Sequence, residues 1–462
     1  SLSADALLED RDLLPILQSA GVHGIWMGCY FYGHWPYPIE KLLSARQQVE
    51  KAGMSCQIIN VPLGHPGDSL GSKEGEFPLT PPSGWRVAQR VDGSTYVGTS
   101  LHNPATAENG KALETIKAAG FTRVFLDDDF RLAPSPGQIG GCFCLDHRDR
   151  FLQRTGYSTS QWEELLGDVR DRRLSRLMED WIDFTCDELS FCFQSQQKAF
   201  HPGELGIMVM YLGAEKAGIR LADYSNAPFR VGELMFDDNS FGRIKGKTDE
   251  LFSALFHRRF TRPELAFSET TAFPAESLSA SNMSAKLVIS TLADVRNTMF
   301  MSGVTPFPRS HWETLAPAMK IQASQHQKLA GHAPQGPFKH YWGVASRKIG
   351  TDQPFSLFLA SGVPFAITDQ PAQDGWTFLS DEDARAVVEK KLSTNGTTFI
   401  HRSSVREIPH GESCDESLEA LFALKERLKP QWTTIPYVEE NLPVVCAWYP
   451  SAHCVLLWNL SD

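Results

Sequence analysis

From residue 5 to about residue 330 the chain alternates short apolar runs with longer amphipathic segments. Seven runs can be read, at 23–30, 55–61, 124–126, 205–211, 230–236, 263–269 and 298–304. Most place apolar residues at successive positions, the pattern of strands buried on both faces. Such strands belong to parallel sheets, and each parallel pair needs a crossover of a dozen or more residues. The intervening segments supply it. Residues 5–20, 38–52 and 105–119 read as helices closed by Gly21, Gly53 and Gly120, because glycine enters the left-handed conformation of a helix end without strain. A helical region over 145–200 and helices at 247–258, 280–298 and 311–330 complete the alternation.

An α/β fold with a parallel sheet follows, and at this length a (β/α)₈ TIM barrel is favoured over an open doubly wound sheet. The open sheet lacks the Gly-rich phosphate loop that follows an early strand in dinucleotide-binding folds. With seven strands visible and a helix at the head of the sequence, the first barrel strand is expected before Ser1. Residues 63–95 form a Gly/Pro-rich insertion, long enough to be a rim loop. The barrel is assigned to 1–333. A second, flavodoxin-like α/β unit is assigned to 334–430, with a strong helix start at Ser380-Asp381-Glu382-Asp383. Residues 431–462 read as the start of a small β domain, opening with a hairpin at 443–449 and 453–458.

A formal net charge of −11 argues against a nucleic-acid partner. No stretch approaches the ~18 uninterrupted apolar residues of a membrane span. The 9 cysteines are odd in number and scattered, which points away from a disulfide framework and towards a reducing, cytoplasmic setting, with secretion left open because a trimmed chain would also lack a signal peptide.

The run Val124-Phe125-Leu126-Asp127-Asp128-Asp129-Phe130-Arg131 carries the chemistry. Three carboxylates at the carboxyl end of a buried strand repel one another, a cost that a helix N-terminus would explain for one or two acids but less well for three. Strand alternation sends Asp127, Asp129 and Arg131 to one side and Asp128 to the other. Repulsion favours a protonated Asp129, as a general acid requires. Arg131 can either neutralise the cluster or bind a substrate carboxylate. Glu269, at the end of the run 263–269, is the partner candidate, with Glu215, Asp237 and Asp238 as rivals. His102, Asn103 and Tyr30 are candidates to line a pocket, although the sequence favours an exposed loop pair for the first two and core packing for Tyr30. Cys142-x-Cys144-x-x-His147 has metal-ligand spacing, without an obvious fourth ligand.

This order of units and motifs resembles the family 42 β-galactosidases and related (β/α)₈-barrel glycoside hydrolases, among them inverting sialidase relatives. In that family the fourth strand ends in an Ile-Asp-Asn-Glu-Tyr pattern whose Glu is the acid/base. Leu126-Asp127-Asp128-Asp129-Phe130 is similar, with Asp129 standing for the Glu and Asp128 for the Asn that contacts the sugar. The family's Cys-x-Cys-x-x-Cys zinc cluster corresponds to Cys142, Cys144 and His147, and its seventh-strand nucleophile to Glu269. The stretch 376–384 resembles its second, glutamine-amidotransferase-like domain, which is used in oligomerisation. The resemblance implies an exo-acting glycosidase with a carbohydrate substrate, no catalytic cofactor, a structural zinc and a dimeric or trimeric assembly. An inverting sialidase or uronic-acid glycosidase using Arg131, and a non-catalytic carbohydrate-binding relative, are the alternatives.

Overall fold

The computed structural model of the protein describes residues 1–64, 80–127, 130–389, 397–402, 404–405, 408 and 411–461. Strands β1 (Gly24–Phe31) and β2 (Ser55–Val61) pair in parallel, and β3 (Val87–Gln89) and β4 (Thr95–Thr99) follow as a short antiparallel hairpin within the insertion. Strands β5 (Arg123–Leu126), β6 (Glu204–Met210), β7 (Phe229–Gly232), β8 (Ala266–Thr271) and β9 (Asn297–Met301) continue the parallel sheet in the order β1-β2-β5-β6-β7-β8-β9. The seven apolar runs are therefore one curled sheet in chain order, the sheet of a TIM barrel. The run at 230–236 is shorter as a strand. Its Leu234 and Met235 N–H groups turn away from the sheet and donate to the Glu250 carboxylate, at 3.1 and 2.8 Å.

Ser1–Ser3 sit between the two edges of this sheet. Leu2 pairs in parallel with Met27, and its N–H donates to Trp26 O at 2.9 Å. The Ser1 nitrogen donates to Phe300 O at 2.8 Å, and Ser3 N–H to Val304 O at 3.0 Å. These three residues occupy the seat for which a strand preceding Ser1 was expected; a segment so short carries no periodicity to read. With it as the first position, β5 is the fourth and β8 the seventh.

Two helical readings divide. The segment 5–20 forms Ala4–Glu9 and Leu13–Ala20. The break falls where the Asp10 side chain accepts from Asp12 N–H at 3.1 Å, a local bond that competes with helix. The region 145–200 forms Leu145–Thr155, Thr159–Asp171 and Arg176–Phe200. Ser158 starts the second of these with a full capping box, and Ser175 caps the third.

The lower barrel interior is an aromatic plug. Trp26, Ile59, Phe125, Phe267 and Met299 meet there, with Phe125 centred 4.7 Å from Trp26 and 5.0 Å from Phe267. Polar groups above this floor are consequently cut off from water on one side.

Strands β10 (Phe338–Tyr341), β11 (Phe365–Thr368), β12 (Trp376–Leu379), β13 (Thr398–His401) and β14 (Gly411–Ser413) form a second parallel sheet in the order β11-β10-β12-β13-β14. This is the strand order of flavodoxin-like sheets. Ser380 caps the helix Asp381–Val388 by accepting from Asp383 N–H at 3.1 Å, as the Ser-Asp-Glu-Asp start implies. Strands β15 (Val444–Tyr449) and β16 (Cys454–Asn459) make the terminal antiparallel hairpin, fixed to the barrel by Tyr449 Oη donating to Leu292 O at 3.0 Å. All nine cysteines are free. Among the described residues no helix is long and apolar enough to cross a membrane.

Candidate active site

Asp127 is the first residue beyond β5, and its N–H still follows the ladder, donating to Asn60 O at 2.7 Å. Alternation from Phe125 turns its side chain into the barrel, one level above the aromatic floor. Glu269 on β8 holds the same place relative to Phe267. Both are buried, Glu269 to 2% exposure. Between them lies Arg230, the second residue of β7, fully buried. Its Nη2 donates to Asp127 Oδ1, and its Nε stands 2.6 Å from Glu269 Oε2. The guanidinium carbon lies 5.4 Å from the centre of the Phe125 ring. Burial lowers the pKa of Arg230, against which the Glu269 charge works. The other oxygen of Glu269 accepts from Thr271 Oγ1 at 2.7 Å.

Thr271 is itself braced from behind the sheet. Its N–H donates to Glu233 Oε2 at 3.0 Å, and Glu233 pairs with the buried Lys286, which also reaches Glu250 at 3.2 Å. Burial, then the neighbouring Glu250, raises the pKa of Glu233 well above the usual carboxylate range. The candidate carboxylates are thus supported by a second layer of charge.

Arg230 and Thr271 were not singled out in the sequence. The available signal was an arginine at the head of a strand-like run, since such a charge, once buried, demands carboxylate partners. Asp128 and Asp129 lie outside the described residues, so the separation of Asp129 from Glu269 is not part of this geometry. Arg131 is buried, and its Nε donates to Ala133 O at 2.9 Å, within its own loop. Tyr30 is buried beside Trp35, the ring centres 5.2 Å apart, and its N–H donates to Asn60 Oδ1. The rivals of Glu269 serve the fold. Glu215 pairs with Arg347 at 2.8 Å, Asp237 caps the helix Asp238–Phe241, and Asp238 accepts from Ser279 N–H at 2.9 Å and Asn282 Nδ2 at 2.7 Å.

His102 is drawn into a cluster with Cys144 and His147 of the cysteine motif; Asn103 beside it is exposed. Cys144 Sγ lies 3.2 Å from His147 Nδ1 and 3.6 Å from His102 Nε2. Tetrahedral zinc with ordinary Zn–S and Zn–N lengths separates sulfur and nitrogen ligands by roughly 3.5 Å. Cys142 lies beside this group: its Sγ is 3.0 Å from Ser100 Oγ, and a hydrogen bond between the two thiols depresses the Cys144 pKa and raises that of Cys142. His147 Nε2 faces Glu188 Oε2 at 3.9 Å, beyond hydrogen-bond reach. One thiol and two imidazoles, with a second thiol adjoining, are donor types suited to zinc.

No family profile matches the sequence, and no curated protein matches it. Solved structures do match the fold. The β-galactosidase of the psychrophilic Marinomonas ef1 superposes with a TM-score of 0.52 at 8% identity, over 86% of this chain and 74% of that one. The cold-adapted β-galactosidase of Rahnella sp. R3 gives 0.53 at 10% identity, over 87% and 70%. The apo exo-carrageenase GH42 of Bacteroides ovatus gives 0.52 at 10% identity, over 94% and 72%. At these identities the likeness is one of fold.

Proposed function

We propose that this chain is an exo-acting glycoside hydrolase whose reacting groups are carboxylates at the carboxyl ends of its barrel strands. The observation that carries this reading is the convergence of Asp127 and Glu269, from the fourth and seventh barrel positions, on one buried guanidinium. In TIM-barrel enzymes the chemistry sits at this end of the barrel. Glycoside hydrolysis generally takes two carboxyl groups flanking the scissile bond, one giving a proton to the leaving oxygen and the other attacking the anomeric carbon or activating water. In this reading Asp129 is the proton donor, Glu269 is the group facing the anomeric carbon, and Asp127 fixes Arg230, which fixes Glu269. Asp128 contacts sugar hydroxyls. The β-galactosidase and exo-carrageenase folds support a carbohydrate substrate. A homo-oligomer built through the second α/β unit belongs to the same reading.

The residues at the cysteine cluster fit zinc. Cys142, Cys144, His147 and His102 would hold it as a structural ion, tying the segment after the β3–β4 hairpin to the start of the helix Leu145–Thr155. It takes no part in the chemical step.

The deciding experiment is a panel of aryl glycosides that includes galactosides, mannosides, uronides and a sialoside. Turnover of one of them, lost in Asp129→Asn and in Glu269→Gly, is expected. The anomer first released, read by proton NMR, assigns Glu269 as nucleophile if configuration is retained and as base for water if it is inverted. Sugar binding without turnover of any member would replace the hydrolase with a carbohydrate-binding protein.

A further inference from the structure

The loop that leaves β5, Phe130 to Cys144, is seated on the second α/β unit. Its Leu132 N–H donates to Ala217 O at 3.0 Å, and its Gly140 N–H to Lys216 O at 2.6 Å. This zips it to the turn that follows β6. The turn in turn sends two charged side chains towards the second unit. Glu215 meets Arg347 at 2.8 Å. Lys216 is buried to 1% exposure, and its Nζ reaches Asp352 at 2.5 Å, Ser346 O at 3.2 Å and Leu212 O at 3.4 Å, beside the Trp342 ring. Arg172 closes the knot from the helical layer. Its Nε donates to Ile349 O at 2.7 Å, and its Nη2 to Gly137 O at 2.8 Å and to Gly350 O. Gly137 lies so close to the second unit that a Cβ there would stand 3.4 Å from Thr351 O and 3.5 Å from Asp352 Oδ2.

A lysine and an aspartate both removed from water give little adhesion, because desolvation offsets most of their attraction. What such a pair does supply is a geometric requirement: the amine must meet its carboxylate, and any other seating of the loops leaves a buried charge alone. We propose that Lys216 and Asp352 are positioning residues through which the second α/β unit sets the shape of the Phe130–Cys144 loop at the barrel mouth. The second unit is then part of the site's support as well as an appended module. The catalytic consequence rests on the glycosidase reading, whereas the coupling itself does not.

Hydrogen exchange read by mass spectrometry on the whole chain separates the two. In Asp352→Asn, peptides covering 130–144 and 212–218 should exchange at least about tenfold faster, while peptides covering 266–292 hold the wild-type rate. The double variant Lys216→Met/Asp352→Asn removes both charges and stands in should Asp352→Asn fail to fold; faster exchange at 130–144 is expected there too, because the geometric requirement is gone. Acceleration confined to 338–352, or spread evenly over the chain, in whichever variant folds overturns the proposal. On the best aryl glycoside, a folded variant should lose kcat while KM stays within about twofold, and an equal loss through KM alone would also overturn it. Wild-type inactivity on every glycoside would sink the hydrolase reading and leave the exchange result to decide the coupling.

Discussion

Arg230 is the residue on which the candidate site turns, and Arg230→Met puts that to the test. Methionine fills much of the same space but leaves Asp127 and Glu269 facing one another over Phe125 with no cation between them. Removing one partner of a buried ion pair costs about 3–5 kcal/mol, because the remaining charge stays buried and unpaired. Here two carboxylates lose the same partner, so the upper part of that range is expected. An unfolding entropy of ~2.1 cal/mol/K per residue gives ~1.4 °C per kcal/mol for a barrel of about 330 residues, so the barrel transition should fall by about 6 °C at pH 7. The sign of the pH dependence follows from charge. Protonation relieves repulsion between the bare carboxylates, so the deficit should shrink as the pH falls from 7 towards 4. Calorimetry at the two ends of that range measures it, and the variant Asp127→Asn/Arg230→Met should recover part of the loss. Turnover on the best aryl glycoside should drop by about 100-fold or more, the scale set by misplacing a reacting group. A melting temperature within about a degree of wild type at both pH values would mean that the guanidinium neither pairs these carboxylates nor fixes them.

Three further outcomes can be stated briefly. Metal analysis should find about one zinc per chain, chelation should lower the melting temperature, and both effects should vanish in Cys144→Ser; a metal-free protein indifferent to chelator would reduce the cluster to a tight turn with thiols. Burial pushes the His257 imidazole down to about 4, so between pH 6.5 and 4 the unfolded chain takes up a proton that the folded one refuses. Stability should therefore fall by about 3 kcal/mol as the pH drops through that window, and His257→Gln should flatten the slope of melting temperature against pH; an unchanged slope would discharge His257. Light scattering at micromolar concentration should show an assembly larger than a monomer, and a monomer alone would count against oligomerisation through the second unit.

Much of the fold was legible because its signals are local. Seven apolar runs and their helices follow from side-chain periodicity, and the strand order of a barrel repeats chain order. The flavodoxin-like sheet was legible in part, through the Ser380 cap and the strands around it. What stayed hidden was whatever depends on residues distant in sequence. Arg230 reads as a charge at the head of a strand until β5 and β8 bring Asp127 and Glu269 beside it, 103 and 39 positions away. His102 reads as a loop residue because its sulfur partner lies 42 positions on. Asp237 and Asp238 are indistinguishable from catalytic acids in sequence, since a helix cap and a strand-end acid use the same residue at the same kind of place.

The Phe130–Cys144 loop draws these separate observations together. Ahead of it, at the end of β5, Asp127 is fixed through Arg230 to β7 and β8. In its middle, Gly137 and Gly140 rest on Arg172 and on the Lys216 turn, and through them on the second unit. At its end, Cys144 meets His102 and His147, with Cys142 hydrogen-bonded to it. Each tether uses buried charge or soft metal ligands, and each is costly to assemble unless its geometry is met. A surface loop that merely joined two elements would need none of them. Two tethers along the loop and one on the strand end that leads into it are intelligible if the loop's shape is what the fold is built to specify.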